Sequence, residues 1–240
     1  ILVTVDQNFI AFLAAGDPKV EILPTTLKIP AARATEILTP LGAGISTSMA
    51  EALPWSGPAA VPSGREYVDC DLVPCVADTN DDGTSYLTPQ VLDVYAARPY
   101  AAVTFFVLGQ NIAGQEDILN RAYDEGNEIG NHSWSHPAFT TLDDASVAAQ
   151  VSDTTAAITA VTGAPVTLLR PPYGDANSRT LAAGGMPAIL WAVDTNDWKK
   201  PGHDELMALA VGNATPDGIV LMHDIHEETV AAAADIADGL

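Results

Sequence analysis

The sequence predicts an α/β fold with a largely parallel sheet over residues 65–240, preceded by a small N-terminal module and linker over residues 1–64. From Tyr67 onward, short apolar runs alternate with segments whose apolar residues recur at helical spacing, which is typical of consecutive βα units. Polar residues follow most of the apolar runs, at the strand ends where such folds gather their functional sites. A sheet of this kind closes into a barrel or remains an open, doubly wound layer.

The N-terminal region differs in pattern from the rest of the chain. Apolar residues at 3–12 indicate a strand, residues 29–38 indicate a short helix, and residues 53–64 are rich in Pro, Gly and Ser. We interpret this region as an appended module with a linker.

Six strands and six helices are predicted in residues 65–240. The strands are apolar runs of suitable length, at 72–78, 101–108, 128–131, 166–170, 188–193 and 218–222. The helices lie between or after them, at 89–97, 115–125, 142–161, 177–183, 205–211 and 228–237.

Charge and hydropathy exclude two classes of partner. The net charge of −21 arises from 31 acidic and 10 basic residues, so the chain repels nucleic-acid phosphates, and we expect no nucleic-acid partner. Apolar residues make up 48% of the chain, but no run approaches the roughly 18 residues of a membrane span. We therefore expect no membrane span and a solvated acidic surface. We also expect a monomer.

Two features predict export to the cell surface or medium. Cys70 and Cys75 are too few for a zinc knuckle and favour a short-loop disulfide, although two reduced buried thiols remain an alternative. The chain starts at Ile1 without a basic and apolar leader, so we expect that a signal peptide has already been removed.

His132 and His136 are spaced so that one helical turn would place both imidazoles on one face, where they can hold a metal ion. A catalytic metal also takes a third ligand, often a carboxylate, and Asp81 and Asp82 follow the first predicted strand. Consecutive residues of a strand point in opposite directions, so one Asp can bind the metal while the other accepts a proton from water. This combination predicts metal-assisted hydrolysis.

Two further segments complete this hypothesis. His223 follows the last predicted strand and can act as general acid if an aspartate from residues 194–197 fixes its tautomer and raises its pKa. Arg170 can pair with the aspartate that acts as base. His203 and His226 are interpreted as surface residues.

Each segment also has a simpler interpretation. Asp81-Asp82-Gly83 is a common turn, two histidines four apart occur by chance on surface helices, and residues 170–174 can form a rigid loop. Residues 194–198 can lead into the following helix. Their joint order along the chain favours a shared site.

In that order, the motifs resemble those of the polysaccharide deacetylases of the NodB-homology class, carbohydrate esterase family 4. The matching segments are Thr79-Asn80-Asp81-Asp82-Gly83-Thr84, His132-Ser133-Trp134-Ser135-His136, Arg170-Pro171-Pro172-Tyr173, Asp194-Thr195-Asn196-Asp197-Trp198 and Leu221-Met222-His223. The spacing of Cys70 and Cys75 is similar to that of actinobacterial members. Asn80 and Thr84 depart from the usual Phe and Pro, which predicts a looser first loop or an added hydrogen bond from Asn80 near the base.

The resemblance implies a distorted barrel of about seven βα units and a role for each motif residue. Asp82, His132 and His136 would bind one divalent metal, with zinc expected, and Asp81 would be the catalytic base oriented by Arg170. His223 would be the acid, with Asp194 as its partner. The Tyr173 backbone N–H would stabilise the oxyanion, while Trp198 and Leu221 would line the pocket for the acetyl methyl group.

The implied activity is removal of N-acetyl groups from N-acetylglucosamine in chitin-type or peptidoglycan glycans. Three alternatives stay open: O-deacetylation as an acetylxylan esterase, a catalytically silent glycan-binding protein, and a structural zinc protein.

Overall fold

The computed structural model describes Cys70 and residues 74–240. The predicted module at 1–64 and the start of the first predicted strand lie outside the described residues. These described residues contain five strands: β1 (Ala77–Asp81), β2 (Thr104–Val107), β3 (Glu128–Asn131), β4 (Val193–Asp194) and β5 (Ile219–His223). All pairings are parallel, in the order β3-β2-β1-β5-β4, which confirms the predicted α/β class.

Two single parallel bridges extend the sheet beyond β3. Asn131 pairs with Leu169, and Leu169 pairs with Ala188. With the five strands, these two segments give seven strand positions in the described part of the chain, as in a distorted barrel.

The predicted strands at 166–170 and 188–193 are wrong over most of their length. Pairing at the first is limited to Leu169, and regular strand in the second is limited to β4. Pro171 and Pro172 follow Arg170, and Pro187 precedes Ala188. Because proline has no backbone N–H to donate, these residues bound the two segments but do not explain the loss of pairing at 166–168 and 189–192.

All six predicted helices are present, with bounds that differ from the predicted ones by no more than two residues. They are α1 (Thr88–Ala96), α2 (Glu116–Asp124), α3 (Asp144–Thr162), α4 (Ser178–Gly184), α5 (His203–Ala210) and α6 (Glu227–Gly239). Capping fixes several of their ends: Asp143 accepts from the Ser146 N–H at the start of α3, and Gly163 ends α3 in the left-handed region.

The apolar core lies between the sheet and the helices. Phe105 and Val107 of β2 pack with Leu92 of α1, Leu119 of α2 and Ile158 of α3. A second cluster joins β4 and β5 to α5 and α6. Because side chains alternate along a strand, Phe106 points to the other face of β2, where it meets the buried guanidinium of Arg170 at 4.2 Å. The interior of the barrel is therefore polar beside the apolar outer core.

The Cys70–Cys75 disulfide is formed, as predicted. In the part of the chain described, no helix combines the length and the apolar character that crossing a bilayer requires.

Candidate active site

The C-terminal end of β1 places two carboxylates at the edge of the sheet. Asp81 is the last residue of β1 and is buried, and its register partner on β5 is His223. Asp82 follows with φ 69, in the left-handed region, which redirects the chain immediately after the strand. Its Oδ1 atom lies 3.6 Å from His132 Nε2 and 3.4 Å from His136 Nε2.

The loop after β1 is held at both ends. Asn111 Nδ2 donates to the Asp82 carbonyl at 2.8 Å, and the Thr84 hydroxyl donates to the Asn111 carbonyl at 3.1 Å. Thr84 thus provides a hydrogen bond that proline could not. Asn80 is buried, and strand alternation directs it to the opposite face of β1 from Asp81. The suggestion that Asn80 adds a hydrogen bond near the base is wrong.

His132 and His136 come together through a loop rather than through the helical turn considered from their spacing. Ser133 and His136 have positive φ values, 74 and 63, and the two imidazole centroids lie 5.1 Å apart. His132 Nδ1 lies 2.7 Å from the Arg170 carbonyl. Since a carbonyl only accepts, Nδ1 carries the proton and the Nε2 lone pair is left facing Asp82.

Polar side chains brace this histidine loop. Asn131 Oδ1 accepts from the Ser133 N–H at 2.8 Å, while its Nδ2 donates to Val151 of α3. Gln150 Oε1 accepts from the backbone N–H groups of residues 134 and 135 at 2.8 and 2.9 Å. Sequence reasoning missed both Asn131 and Gln150, and only the position of Asn131 directly before His132 could have suggested a role.

The residues present fit a divalent metal ion. Nitrogen or oxygen atoms of Asp82, His132 and His136 lie within 4.8 Å of one another. Among the described residues, Asp82 Oδ1 is one of the few buried side-chain oxygens that lack a hydrogen-bond partner. Burial lowers the pKa of His136, which favours the neutral imidazole that ligation requires. One carboxylate and two imidazoles form a typical zinc donor set with positions left open.

Arg170 fixes the other aspartate. Its Nη1 donates to Asp81 Oδ1 at 2.7 Å and to the Thr79 hydroxyl at 2.8 Å, and its Nε and Nη2 donate to the carbonyls of Ile189 and Leu190. Burial lowers the pKa of Arg170, an effect that the Asp81 charge opposes. Asp81 Oδ2 lies 3.6 Å from His132 Nε2, so the second oxygen faces the ligand cluster. Thr79 was missed, although it lies two residues before Asp81 on the same strand face.

His223 pairs with Asp197, and the prediction of Asp194 as its partner is wrong. His223 Nδ1 lies 2.7 Å from Asp197 Oδ1, whereas Asp194 Oδ1 accepts from the Asn196 N–H at 2.8 Å. Asp194 closes a turn at the end of β4, after which Asn196 takes φ 52 and a 3₁₀ turn (Asp197–Lys199) begins. That turn places the Asp197 carboxylate at the end of β5.

Electrostatics at this pair favour a protonated imidazole. Burial opposes the charged form of His223, but the hydrogen bond and charge of Asp197 more than offset it, with further contributions from Asp81 and Asp82. The pKa of His223 is raised to about 9. Burial also acts against ionisation of Asp197, yet its hydrogen bonds from His223 and Thr229 hold its pKa below the usual value.

Tyr173, predicted as the backbone oxyanion donor, and Trp198 and Leu221, predicted to line the acetyl pocket, lie beside these groups. Tyr173 has φ 60 and an exposed side chain whose ring meets the His136 ring edge-on at 4.5 Å. The Trp198 side chain is half exposed, and the Trp198 backbone N–H donates to Asp197 Oδ1 at 3.0 Å. Leu221 is buried on β5, two residues before His223 and therefore on the same strand face.

Comparison with known proteins identifies relatives of this chain. The family model described as polysaccharide deacetylase matches residues 70–186. The peptidoglycan-N-acetylglucosamine deacetylase PgdA of Listeria monocytogenes (serotype 1/2a, strain 10403S) is 40% identical over 158 residues, which are 65% of this chain and 34% of PgdA. The chitooligosaccharide deacetylase of Bradyrhizobium sp. (strain ANU 289) is 36% identical over 165 residues, which are 67% of this chain and 75% of that protein.

A solved structure is also similar to this chain in fold and in sequence. Peptidoglycan deacetylase PdaC from Bacillus subtilis aligns with a TM-score of 0.68 and 36% identity, over 71% of this chain and 84% of that one. The chain spans about a third of the length of the peptidoglycan deacetylases that it matches in sequence. By sequence and by fold, the chain belongs to the polysaccharide deacetylase family.

Proposed function

We propose that the protein is a metal-dependent hydrolase that removes N-acetyl groups from N-acetylglucosamine residues of chitin-type or peptidoglycan glycans. The observation that carries this proposal is the convergence of a three-residue ligand set, Asp82 with His132 and His136, beside a buried Asp81–Arg170 pair. His223, with its Asp197 partner, lies next to Asp81 on the neighbouring strand. A base and an acid thus flank one candidate metal site.

Asp82, His132 and His136 would hold one divalent ion, with zinc favoured by the donor set. When bound, such an ion polarises the amide carbonyl and acidifies water. The protein's own contribution begins at Asp81, whose Oδ1 is held by Arg170 and whose Oδ2 faces the ligand cluster. Asp81 accepts the proton of the attacking water at Oδ2.

His223 acts on the leaving group. Its Nδ1 is fixed by Asp197, which leaves Nε2 to donate a proton to the departing amine. Because the pKa of His223 is raised to about 9, the imidazole holds that proton at neutral pH. The Tyr173 backbone N–H stabilises the negative charge on the former carbonyl oxygen, and Trp198 and Leu221 enclose the acetyl methyl group.

The Cys70–Cys75 disulfide supports a location outside the cytoplasm, in the medium or at the cell wall. We propose that the protein works there as a monomer on acetylated glycan.

The test is acetate release from chitopentaose, peptidoglycan glycan strands and acetylxylan, with and without a chelator. We expect release from the N-acetylated glycans that stops on chelation and returns with zinc. Release of acetate from acetylxylan alone would contradict N-deacetylation and favour O-deacetylation. If the zinc-loaded protein releases no acetate, a catalytically silent glycan-binding protein would be favoured.

Two variants separate the proposed roles. Asp81→Asn keeps an oxygen for Arg170 but removes the base, so turnover should fall about 10²–10⁴-fold while zinc binding by calorimetry is retained. Asp82→Asn should weaken zinc binding itself, because it replaces an ionised ligand by a neutral one. Equal loss of zinc binding in both variants would contradict the division of roles between these aspartates.

A further inference from the structure

In the part of the chain that the structure describes, two lysines beside the candidate site lack the carboxylate partner that each arginine has. Among the residues that the structure describes, each arginine contacts an aspartate within 4.0 Å, in the pairs Arg98–Asp238, Arg121–Asp93, Arg170–Asp81 and Arg179–Asp144. Lys199 and Lys200 form no such ion pair with a described residue. In a chain with a net charge of −21, these two lysines thus carry positive charge that no carboxylate of the described residues pairs with.

The backbone anchors both lysines to the site. Lys199 N–H donates to the Asn196 carbonyl and Lys200 N–H to the Asp197 carbonyl, each at 2.8 Å. The Asp197 side chain at the start of the same turn is buried and binds His223. The position of this turn is therefore fixed by the proposed acid and its partner.

The side chains lie at the exposed rim. Lys199 Nζ is 4.6 Å from the centre of the half-exposed Trp198 ring and donates to Asn196 Oδ1 at 2.7 Å. Lys200 is exposed at the end of the same turn, directly after Lys199. The rings of His226 and His223 are 5.8 Å apart. The Lys199 ammonium group thus lies beside Trp198, in the turn that holds the carboxylate partner of His223, and Lys200 follows at the exposed end of that turn.

The two exposed lysines on an otherwise acidic protein indicate which charge the substrate carries. An acidic protein repels an acidic polymer, except where positive charge is left uncompensated at the surface. An exposed tryptophan can contact a sugar ring, and the Lys199 ammonium group beside it, with exposed Lys200 next in the turn, complements a carboxylate on that sugar or its neighbour. A neutral glycan gives the lysines no such partner.

We propose that Trp198, Lys199 and Lys200 form a subsite for a sugar carboxylate adjacent to the acetylated residue, so that the preferred substrates are acidic acetylated glycans. The carboxylate can be the lactyl group of muramic acid or the carboxyl group of a uronic acid. This inference rests on the proposed function and narrows its substrate class.

The experiment uses matched glycans that differ only in the carboxylate. Peptide-free peptidoglycan strands are compared with the same strands after reduction of the lactyl carboxylates to alcohols. A second pair consists of acetylated glucuronoxylan and its carboxyl-reduced form, which distinguishes the two sources. The quantity measured is the ratio of kcat/KM for acetate release on the intact and reduced glycans, at low and high salt.

We expect the intact strands to be favoured at low salt and the preference to shrink at high salt. The double variant K199Q/K200N should lower the ratio about tenfold, as expected for the loss of two exposed charge contacts. Asn suits position 200 because Lys200 has φ 55, which asparagine tolerates well. The charge-conserving variant K199R/K200R should keep the ratio. An unchanged ratio in K199Q/K200N would overturn the proposal.

Binding separates this inference from the proposed function. In the Asp81→Asn background, calorimetry measures the affinity for intact and reduced strands without turnover. Tighter binding of intact strands that disappears in K199Q/K200N supports the carboxylate subsite even if no acetate is released from any glycan, an outcome that would defeat the proposed function alone. Equal affinity for both kinds of strand would overturn the subsite.

Discussion

The Asp197 carboxylate accepts four hydrogen bonds, two at each oxygen. Oδ1 accepts from His223 Nδ1 and from the Trp198 backbone N–H. Oδ2 accepts from the His223 backbone N–H and from the Thr229 hydroxyl, the latter at 2.8 Å. A buried carboxylate with this many donors remains ionised and cannot turn. Asp197 therefore both raises the pKa of His223 and fixes the direction of its ring, and the Thr229 hydroxyl of α6 fixes Asp197.

Asp197→Asn should lower the pKa of His223 from about 9 to below its ordinary value, because burial remains as the largest influence once the Asp197 charge is removed. Titration of the His223 imidazole by NMR in the metal-free protein measures this change. Acetate release should fall about 10²-fold or more at neutral pH.

Asp194→Asn is the matched control for this change. Asp194 contacts the Asn196 N–H rather than His223, so the pKa of His223 should stay near 9. A fall in that pKa in Asp194→Asn but not in Asp197→Asn would contradict the pairing described above.

Arg170→Gln should lower the free energy of unfolding by about 3–5 kcal/mol, since it leaves the buried Asp81 carboxylate without its cation. Arg179→Gln is the control, because the Arg179–Asp144 pair is largely exposed and should contribute less than about 1 kcal/mol. Urea unfolding of the metal-free variants measures both values. Equal losses would show that the buried pair does not stabilise the fold.

Among the secondary-structure elements, the helices, β3 and β5 could be predicted to within two residues, whereas β1 and β4 could not. The α helices follow from apolar spacing that no functional residue interrupts. β1 was predicted at 72–78 and lies at Ala77–Asp81, because Thr79, Asn80 and Asp81 are polar yet buried. Functional residues break the apolar pattern by which a strand is recognised.

The site itself was only partly predictable. The candidate metal ligands Asp82, His132 and His136 come together as the motifs implied, although by means of left-handed residues rather than a helical turn. The choice between Asp194 and Asp197 depends on the turn at Asn196, whose φ of 52 has no signature in residue type strong enough to decide it. Gln150 braces the histidine loop from α3, and which residues of α3 face this loop depends on the tertiary fold.

Gly109 connects the end of β2 to the histidine loop, and replacement by alanine should disturb both. A Cβ at position 109 would meet the Trp134 ring and would approach Thr154 Oγ1 to 2.6 Å. The Gly109 N–H also donates to the Ser133 carbonyl at 3.0 Å, so a shift here moves the loop between His132 and His136. Gly109→Ala should lower the free energy of unfolding by about 1–3 kcal/mol and weaken zinc binding.

Gly184→Ala is the comparison for this variant. Its added methyl group would lie 3.3 Å from a Leu169 methyl and 3.5 Å from a Val151 methyl, both flexible side-chain ends that do not belong to the loop between His132 and His136. Its zinc affinity should match that of the parent protein. Calorimetric zinc titration of both variants decides whether Gly109 acts on the loop.

For the molecule as a whole, buried ionisable groups set the pH dependence of stability. Burial raises the pKa values of Asp78 and Asp224 to about 7 each. A carboxyl group whose folded pKa lies above its unfolded value binds a proton more tightly in the folded state, so stability falls as pH rises from about 4 to about 7. His223 affects stability at higher pH. Because its pKa is higher in the folded state, its protonation stabilises the fold fully below about pH 6.5, and this stabilisation is lost as pH rises through about 9.

Asp78 allows this dependence to be tested apart from the active site. It lies on β1, where strand alternation directs it away from the face of Asp81, and the Tyr95 hydroxyl of α1 donates to its Oδ2. Asp78→Asn keeps an acceptor for Tyr95 but cannot ionise. The variant should gain stability over the parent protein as pH rises from 4 to 7, with a plateau above 7 and an upper bound of about 4 kcal/mol.

Urea unfolding of both proteins at a series of pH values gives this difference directly. Because Asp224 and His223 are present in both, their contributions cancel, and only the titration of Asp78 remains in the difference. A difference in stability that does not change between pH 4 and 7 would mean that Asp78 titrates normally in the fold, and that its burial beside Tyr95 is compensated by contacts to the charged form.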